Sequence, residues 1–162
     1  MRFMMIVIPK GYDTAPADAM PDAESVGEID KYNAALMKAG VVLAMEGLHP
    51  PSTGVRVTFP GGKPQVKDGP FPEAKEVVGG FWLIDVKSKA EAIKWAKKCP
   101  GGDDMTIEIR QVQEWEDFTP EVQAAAKNEG KIRKALEKKR KAAGKKTPKK
   151  AKKKGAKKKQ KK

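Results

Sequence analysis

The sequence predicts an α+β fold, and three observations predict it. Short runs with strand character recur at residues 3–8, 41–45, 55–59, 81–86 and 105–109. Two segments with apolar residues at helical spacing, 22–39 and 88–99, lie between them. The resulting order is strand, helix, strand, hairpin, strand, helix, strand. Two helical crossovers over one sheet give a ferredoxin-like split βαβ sandwich, with the hairpin extending the sheet at an edge. A C-terminal helix and a disordered basic tail follow.

Each element has its own warrant. Residues 3–8 are continuously apolar, as in a strand buried on both faces. Val26, Ile29, Tyr32 or Asn33, Leu36 and Met37 then recur at helical spacing, with Asp22 as the cap and Gly40 just past the end. Residues 41–45 read as the next buried strand. Val55, Val57 and Phe59 alternate with Arg56 and Thr58, a half-exposed strand, and 65–67 returns beside it after Pro60-Gly61-Gly62. Pro64, which has no N–H for a ladder, favours the edge. Residues 81–86 are another apolar strand. Ser88 and Glu91 form a capping box, and Ala92, Trp95, Ala96 and Cys99 an apolar helix face. Met105, Ile107 and Ile109 alternate with polar residues in the last strand. Thr119-Pro120-Glu121 starts a further helix, which Gly130 is placed to interrupt.

Charge divides the chain. Residues 131–162 hold nineteen Lys and Arg and one acid, Glu137, a formal +18. Residues 1–130 hold fifteen basic and twenty acidic residues, a formal −5. The net +13 therefore describes neither part. Cys99 is the only cysteine, so no intrachain disulfide forms, which suits a reducing cytoplasm. The apolar run at 3–8 is too short for a membrane span or a signal segment, so a cytoplasmic protein is expected.

The stretch at 67–80, "KDGPFPEAKEVVGG", packs two prolines and three glycines among five charges. Asp68-Gly69-Pro70-Phe71, then Glu73, Lys75 and Glu76, then Gly79-Gly80, resembles the signature of the YCII-related family in its DGPF-domain branch. The flanking "AGVVLAMEGLHPP" and "IEIRQV" fit that branch too. The resemblance covers about residues 1–118; residues 119–143 and 144–162 lie outside it, as a basic helical extension and a Lys-rich tail. It implies a ferredoxin-like α+β fold, commonly a homodimer, with a cleft near the segment before the fourth strand. The family's function is largely unassigned. Some relatives use a His early in the first helix with an Asp as a catalytic pair. Residues 22–39 here contain no His, and the only one in the chain is His49.

Several residues are candidates for chemistry, and each has an ordinary structural role beside it. Asp68 can accept backbone N–H groups in an Asx-type turn, or serve as a cleft acid or base. In the second case Gly69 lets backbone approach a ligand, and Pro70 stiffens the loop beside Phe71. Residues 72–76 can form one helical turn with Glu73 and Glu76 on one side. Two carboxylates can share acid–base work if their surroundings separate their pKa values. They can equally pair with Lys75 and neighbouring cations at a surface. Glu46 and His49 are three apart and face opposite sides of a strand, which argues against a metal pair. Gly79-Gly80 reads as a close approach of strand and helix, and the tryptophans as core or dimer-contact residues. No cofactor motif is present.

The tail carries the simplest physics. Lys145, Lys146, Lys149, Lys150, Lys152, Lys153, Lys154, Lys157, Lys158 and Lys159 are expected to bind nucleic acid or another polyanion through counterion release. No aromatic residue occurs in 119–162, so base stacking is not available there and the binding is expected to ignore sequence. Three classes of function follow: a YCII-related domain with a nucleic-acid tether, a small hydrolase or lyase using Asp68 with Glu73, Glu76 or His49, and a non-catalytic binder of small molecules.

Overall fold

The computed structural model describes residues 1–144. They fall in two compact units, Met1–Gln113 and Glu114–Lys162, the latter described as far as residue 144. The first unit contains β1 (Arg2–Pro9), α1 (Ala23–Ala39), β2 (Val42–Gly47), β3 (Val55–Thr58), β4 (Gln65–Asp68), β5 (Gly80–Asp85), α2 (Lys89–Ala96) and β6 (Met105–Gln111). Four strands form an antiparallel sheet in the order β2-β5-β1-β6. With helices after β1 and β5, this is the α+β, split βαβ arrangement.

The register builds the core. Phe3 lies opposite Ile84, and Met5 lies opposite both Trp82 and Ile109, so these side chains share one face. Phe3, Met5, Trp82 and Ile84 are buried there, beneath Tyr32 and Leu36 of α1 and Ala92 of α2. The Tyr32 ring meets Trp82 edge-on at 5.4 Å. The Tyr32 hydroxyl donates to the Trp95 carbonyl at 3.0 Å, and the Trp82 indole N–H donates to Asn33 Oδ1 at 2.8 Å. Both aromatic polar ends are thereby satisfied. The caps are those the sequence predicts. Asp22 accepts from the Ser25 N–H at 2.9 Å, and Gly40 takes the left-handed conformation that ends α1. Ser88 accepts from the Glu91 N–H, whereas the Glu91 carboxylate reaches back to the N–H of Lys87, one residue beyond the cap.

Three expectations about the strands are corrected. β1 is not buried on both faces, because both helices pack on the side of Phe3 and Met5. Its other side, Met4, Ile6 and Ile8, is half-buried and continues into Leu83 and Phe81 of β5. β2 is not a buried strand, because the strand order puts it at the sheet edge, and most of its residues are exposed. The β3–β4 hairpin does not extend the main sheet but forms a two-stranded sheet of its own.

The second unit holds α3 (Pro120–Ala125) and α4 (Glu129–Gly144). The helical run breaks at residues 126–128, and Gly130 sits in the first turn of α4 instead of at the break. Trp115 and Phe118 lie with ring centroids 6.0 Å apart, and the Arg133 guanidinium lies over the Phe118 ring. Ile132 and Leu136 are about half exposed. No described helix is long and apolar enough to cross a membrane. The ten tail lysines and the expected disorder lie outside the described residues.

Candidate functional site

The stretch at 67–80 is organised around one buried ring. Phe71 is 6 % exposed, and the Arg56 guanidinium of β3 lies over it, 4.0 Å from the ring centroid. Arg56 Nη1 also donates to Glu73 Oε1 at 2.7 Å, and Lys67 Nζ reaches both Glu73 oxygens at 3.3 Å. A single carboxylate therefore joins β3, β4 and the segment after them. Glu73 titrates below the ordinary carboxylate range. Its own backbone N–H is the largest cause, followed among the favourable contributions by the Lys67 and Arg56 cations. The ion-pair role expected for Glu73 is thus present, with Arg56 and Lys67 as partners and not Lys75.

Backbone contacts fix the same segment. The Gly69 N–H donates to the Gly54 carbonyl at 2.8 Å, and the Gly69-Pro70 peptide is cis. A Cβ on Gly69 would run into the Pro51 carbonyl oxygen. The close approach that requires this glycine is therefore to the chain's own backbone. Residues 71–74 form a β-turn, with the Ala74 N–H donating to the Phe71 carbonyl at 2.9 Å. Pro72 occupies the second position of that turn, which its fixed φ suits. The expected helical turn over 72–76 does not form, and Glu76 is exposed, without an ion pair among the described residues. Gly80 serves a strand–strand approach instead of a strand–helix one, since a Cβ there would come within 2.7 Å of the Glu46 carbonyl oxygen.

Asp68 is the last residue of β4 and is exposed, with Val55 opposite it in the ladder. Among the described residues its carboxylate accepts no hydrogen bond and makes no ion pair, so the Asx-turn role is not filled. Glu46 lies on the edge strand β2, and His49 is exposed in the loop after it, just before buried Pro50. No hydrogen bond or ion pair links Asp68, Glu46, His49, Glu73 and Glu76 to one another among the described residues. No group of three metal-ligating side chains occurs among them either. A depression of about 490 Å³ runs along α2, between Lys87, Glu91, Lys94, Trp95 and Lys98, and none of the candidate residues lines it. The role of Arg56 is the detail that sequence reading missed, because an alternating strand does not show which of its sides turns inward.

A family model described as YCII-related domain matches residues 1–116. The chain belongs to the YCII-related domain family. A comparison with curated proteins finds no match. In this YCII-related unit, Gly69 and Phe71 have structural roles that account for them, while the carboxylate of Asp68 has none within its own unit.

Proposed function

We propose that the chain is a dimeric YCII-related protein of the cytoplasm whose Lys-rich C-terminal segment tethers it to nucleic acid without regard to sequence. The observation that carries this reading is the separation of charge, −5 over residues 1–130 against +18 over 131–162. A polyanion that meets the basic segment releases its own counterions, and the acidic remainder keeps the contact confined to one end. The cations of α4, among them exposed Lys131, Lys134, Lys138 and Lys139, continue the basic segment back from the tail. The dimer reading rests on the half-buried face of Met4, Ile6, Leu83 and Phe81, which no helix of its own unit covers. The domain division follows the same lines: 1–118, a basic extension to 143, then the tail.

Fluorescence anisotropy against two unrelated DNA duplexes tests the tether. The full chain should bind both with similar affinity and lose about 10³-fold or more between 50 and 200 mM salt if six or more phosphates are contacted. A chain ending at Gly144 should bind far more weakly. Equal affinity with and without residues 145–162 would overturn the reading.

A second reading takes the unpartnered carboxylate of Asp68 as an acid or base in a small hydrolase or lyase site, with Glu73, Glu76 or His49. A panel of generic ester and lyase substrates tests it, with Asp68→Asn as control. Turnover unchanged in Asp68→Asn would sink it. Thermal stabilisation by a small molecule without turnover would instead mark a binding module.

A further inference from the structure

The depression along α2 gathers positive charge that the fold does not use. Residues 1–113 hold fourteen basic and fifteen acidic residues, a formal −1, yet 87–98 hold five lysines and one acid, a formal +4. Lys87, Lys94 and Lys98 line the depression, and among the described residues their ammonium groups make no ion pair. The helix dipole accounts for cations at the end of α2, but not for Lys87, which stands before its start, where positive charge is disfavoured. Lys94 and Lys98 are about one turn apart and repel each other. Glu91, the one acid of the segment, has its carboxylate on the backbone N–H of Lys87 at 2.9 Å. Three cations against this one carboxylate leave the depression at +2, a setting that suits an anion.

Trp95 narrows the kind of anion. It is half-buried, packing against the core and lining the depression as well. Its carbonyl accepts the Tyr32 hydroxyl at 3.0 Å, which holds the residue in place. The Lys98 ammonium lies over the indole, 4.6 Å from the ring centroid. That contact is weak where water reaches it, so a phosphate draws the ammonium away and leaves the indole to a base. A stacked base gains more than the displaced cation loses. At about 490 Å³ the depression has room for one base with its phosphate. An acidic peptide would use the lysines and leave the stacking surface idle. Length narrows the choice further. The eight residues of α2 rise ~12 Å, so Lys87 before the helix and Lys98 after it are too far apart for one phosphate. A chain of phosphates spans them. A duplex keeps its bases stacked on one another, whereas a single strand can lay one on the indole.

We propose that the α2 depression is a binding site for single-stranded nucleic acid. Lys94 and Lys98 take one phosphate, and Trp95 stacks the base beside it. Lys87 and the Ser88 hydroxyl take a second phosphate; the Ser88 oxygen accepts from the Glu91 N–H, and its own proton is left to donate. This rests on the nucleic-acid reading above and adds what the basic segment lacks, since residues 119–162 contain no aromatic side chain. Stacking tolerates any base, so the site adds affinity for single strands and leaves binding indifferent to sequence.

Fluorescence anisotropy on the full chain tests the site with three labelled 12-mers: thymidylate, the same phosphate chain without bases, and a duplex. The tail meets the phosphates of the first two alike, so their ratio reads the stacked base. Thymidylate should bind at least about tenfold more tightly than the abasic chain. Trp95→Leu, which keeps an apolar side chain against the core, should bring that ratio close to one, and Trp95→Phe should keep most of it. Lys94→Glu with Lys98→Glu should lower the affinity for thymidylate relative to duplex by about tenfold. Ultraviolet cross-linking to the unaltered chain needs no variant, and the linked peptide should contain Trp95. Equal affinity of wild type for thymidylate and the abasic chain, or cross-links confined to the tail, would overturn the site and leave the tether standing. Polyglutamate that displaces thymidylate as readily as unlabelled thymidylate does would overturn it too, since charge alone would then suffice. Thymidine monophosphate that competes as well per base would remove the second phosphate contact and with it the claim to a strand. Binding of thymidylate with none of duplex would overturn the tether and keep the site.

Discussion

Two adjacent residues at the end of β4 differ in how far the fold fixes them. Gly69 has no room for a side chain, since a Cβ would collide with the Pro51 carbonyl, a backbone atom that cannot swing away. Gly69→Ala should therefore destabilise the unit by about 1–3 kcal/mol, read as a lowered denaturation midpoint at unchanged m-value. Asp68 is exposed and bonded to nothing within its unit. Asp68→Asn should leave the stability of the isolated protomer within about 0.5 kcal/mol, measured at concentrations where any dimer has dissociated. The pair thus tests, with two conservative changes, whether a motif of neighbouring residues has one role or two. Cys99 behaves more simply. Burial pushes its thiol up to about 11, so little thiolate forms near neutrality. Alkylation by iodoacetamide at pH 8 should run well below the rate of an exposed peptide thiol; a rate equal to that thiol's would show that the bend after α2 opens away from the core.

At the scale of elements, the hairpin is held to its unit by one carboxylate and one stacked cation, not by a ladder to the main sheet. The pH dependence follows from the direction of the Glu73 shift. Its folded pKa lies below the ordinary value of about 4.3, so its contribution is fully present above that value. The contribution is lost as pH falls through the lower folded value. Amide exchange in Val55–Thr58 and Gln65–Asp68 should accelerate relative to the core strands between pH 5 and pH 3, after correction for intrinsic rates. Glu73→Gln should show the faster exchange already at pH 5; exchange in that variant identical to wild type would remove the clamp. This element also shows what the sequence carries and what it does not. The 3.6-residue period located α1 and α2, alternation located β6, and continuous apolar runs located β1 and β5, because each has a face to bury. The alternation of Val55, Val57 and Phe59 located β3 as a half-exposed strand but did not show which side turns inward. The ring and carboxylate that draw Arg56 inward stand fifteen and seventeen residues later in the chain. Likewise, apolar residues in β1 and β2 could not reveal that both helices of the unit pack on one sheet face and that β2 lies at the edge.

For the whole molecule, the tail admits two physical roles that simple deletion confounds. Removing residues 145–162 takes away twelve lysines and brings the formal charge from +13 to +1. A protein near zero net charge associates and precipitates more readily, so lost binding and lost solubility would arrive together. Reversing the charge separates them. With all twelve lysines changed to Glu, the formal charge becomes −11, comparable in magnitude to the natural one. Solubility should then be retained, since it depends on the size of the net charge. Binding to duplex DNA should vanish, since counterion release requires cations on the protein. Light scattering of concentrated samples reads the first property, and anisotropy at 50 mM salt reads the second. If the reversed tail still binds DNA, the cations of α4 suffice and the tether lies there; if it aggregates, the lysines have a solubilising role that charge magnitude does not explain. Should a wild-type tail bind DNA no better than the reversed one, only solubility would remain as its function.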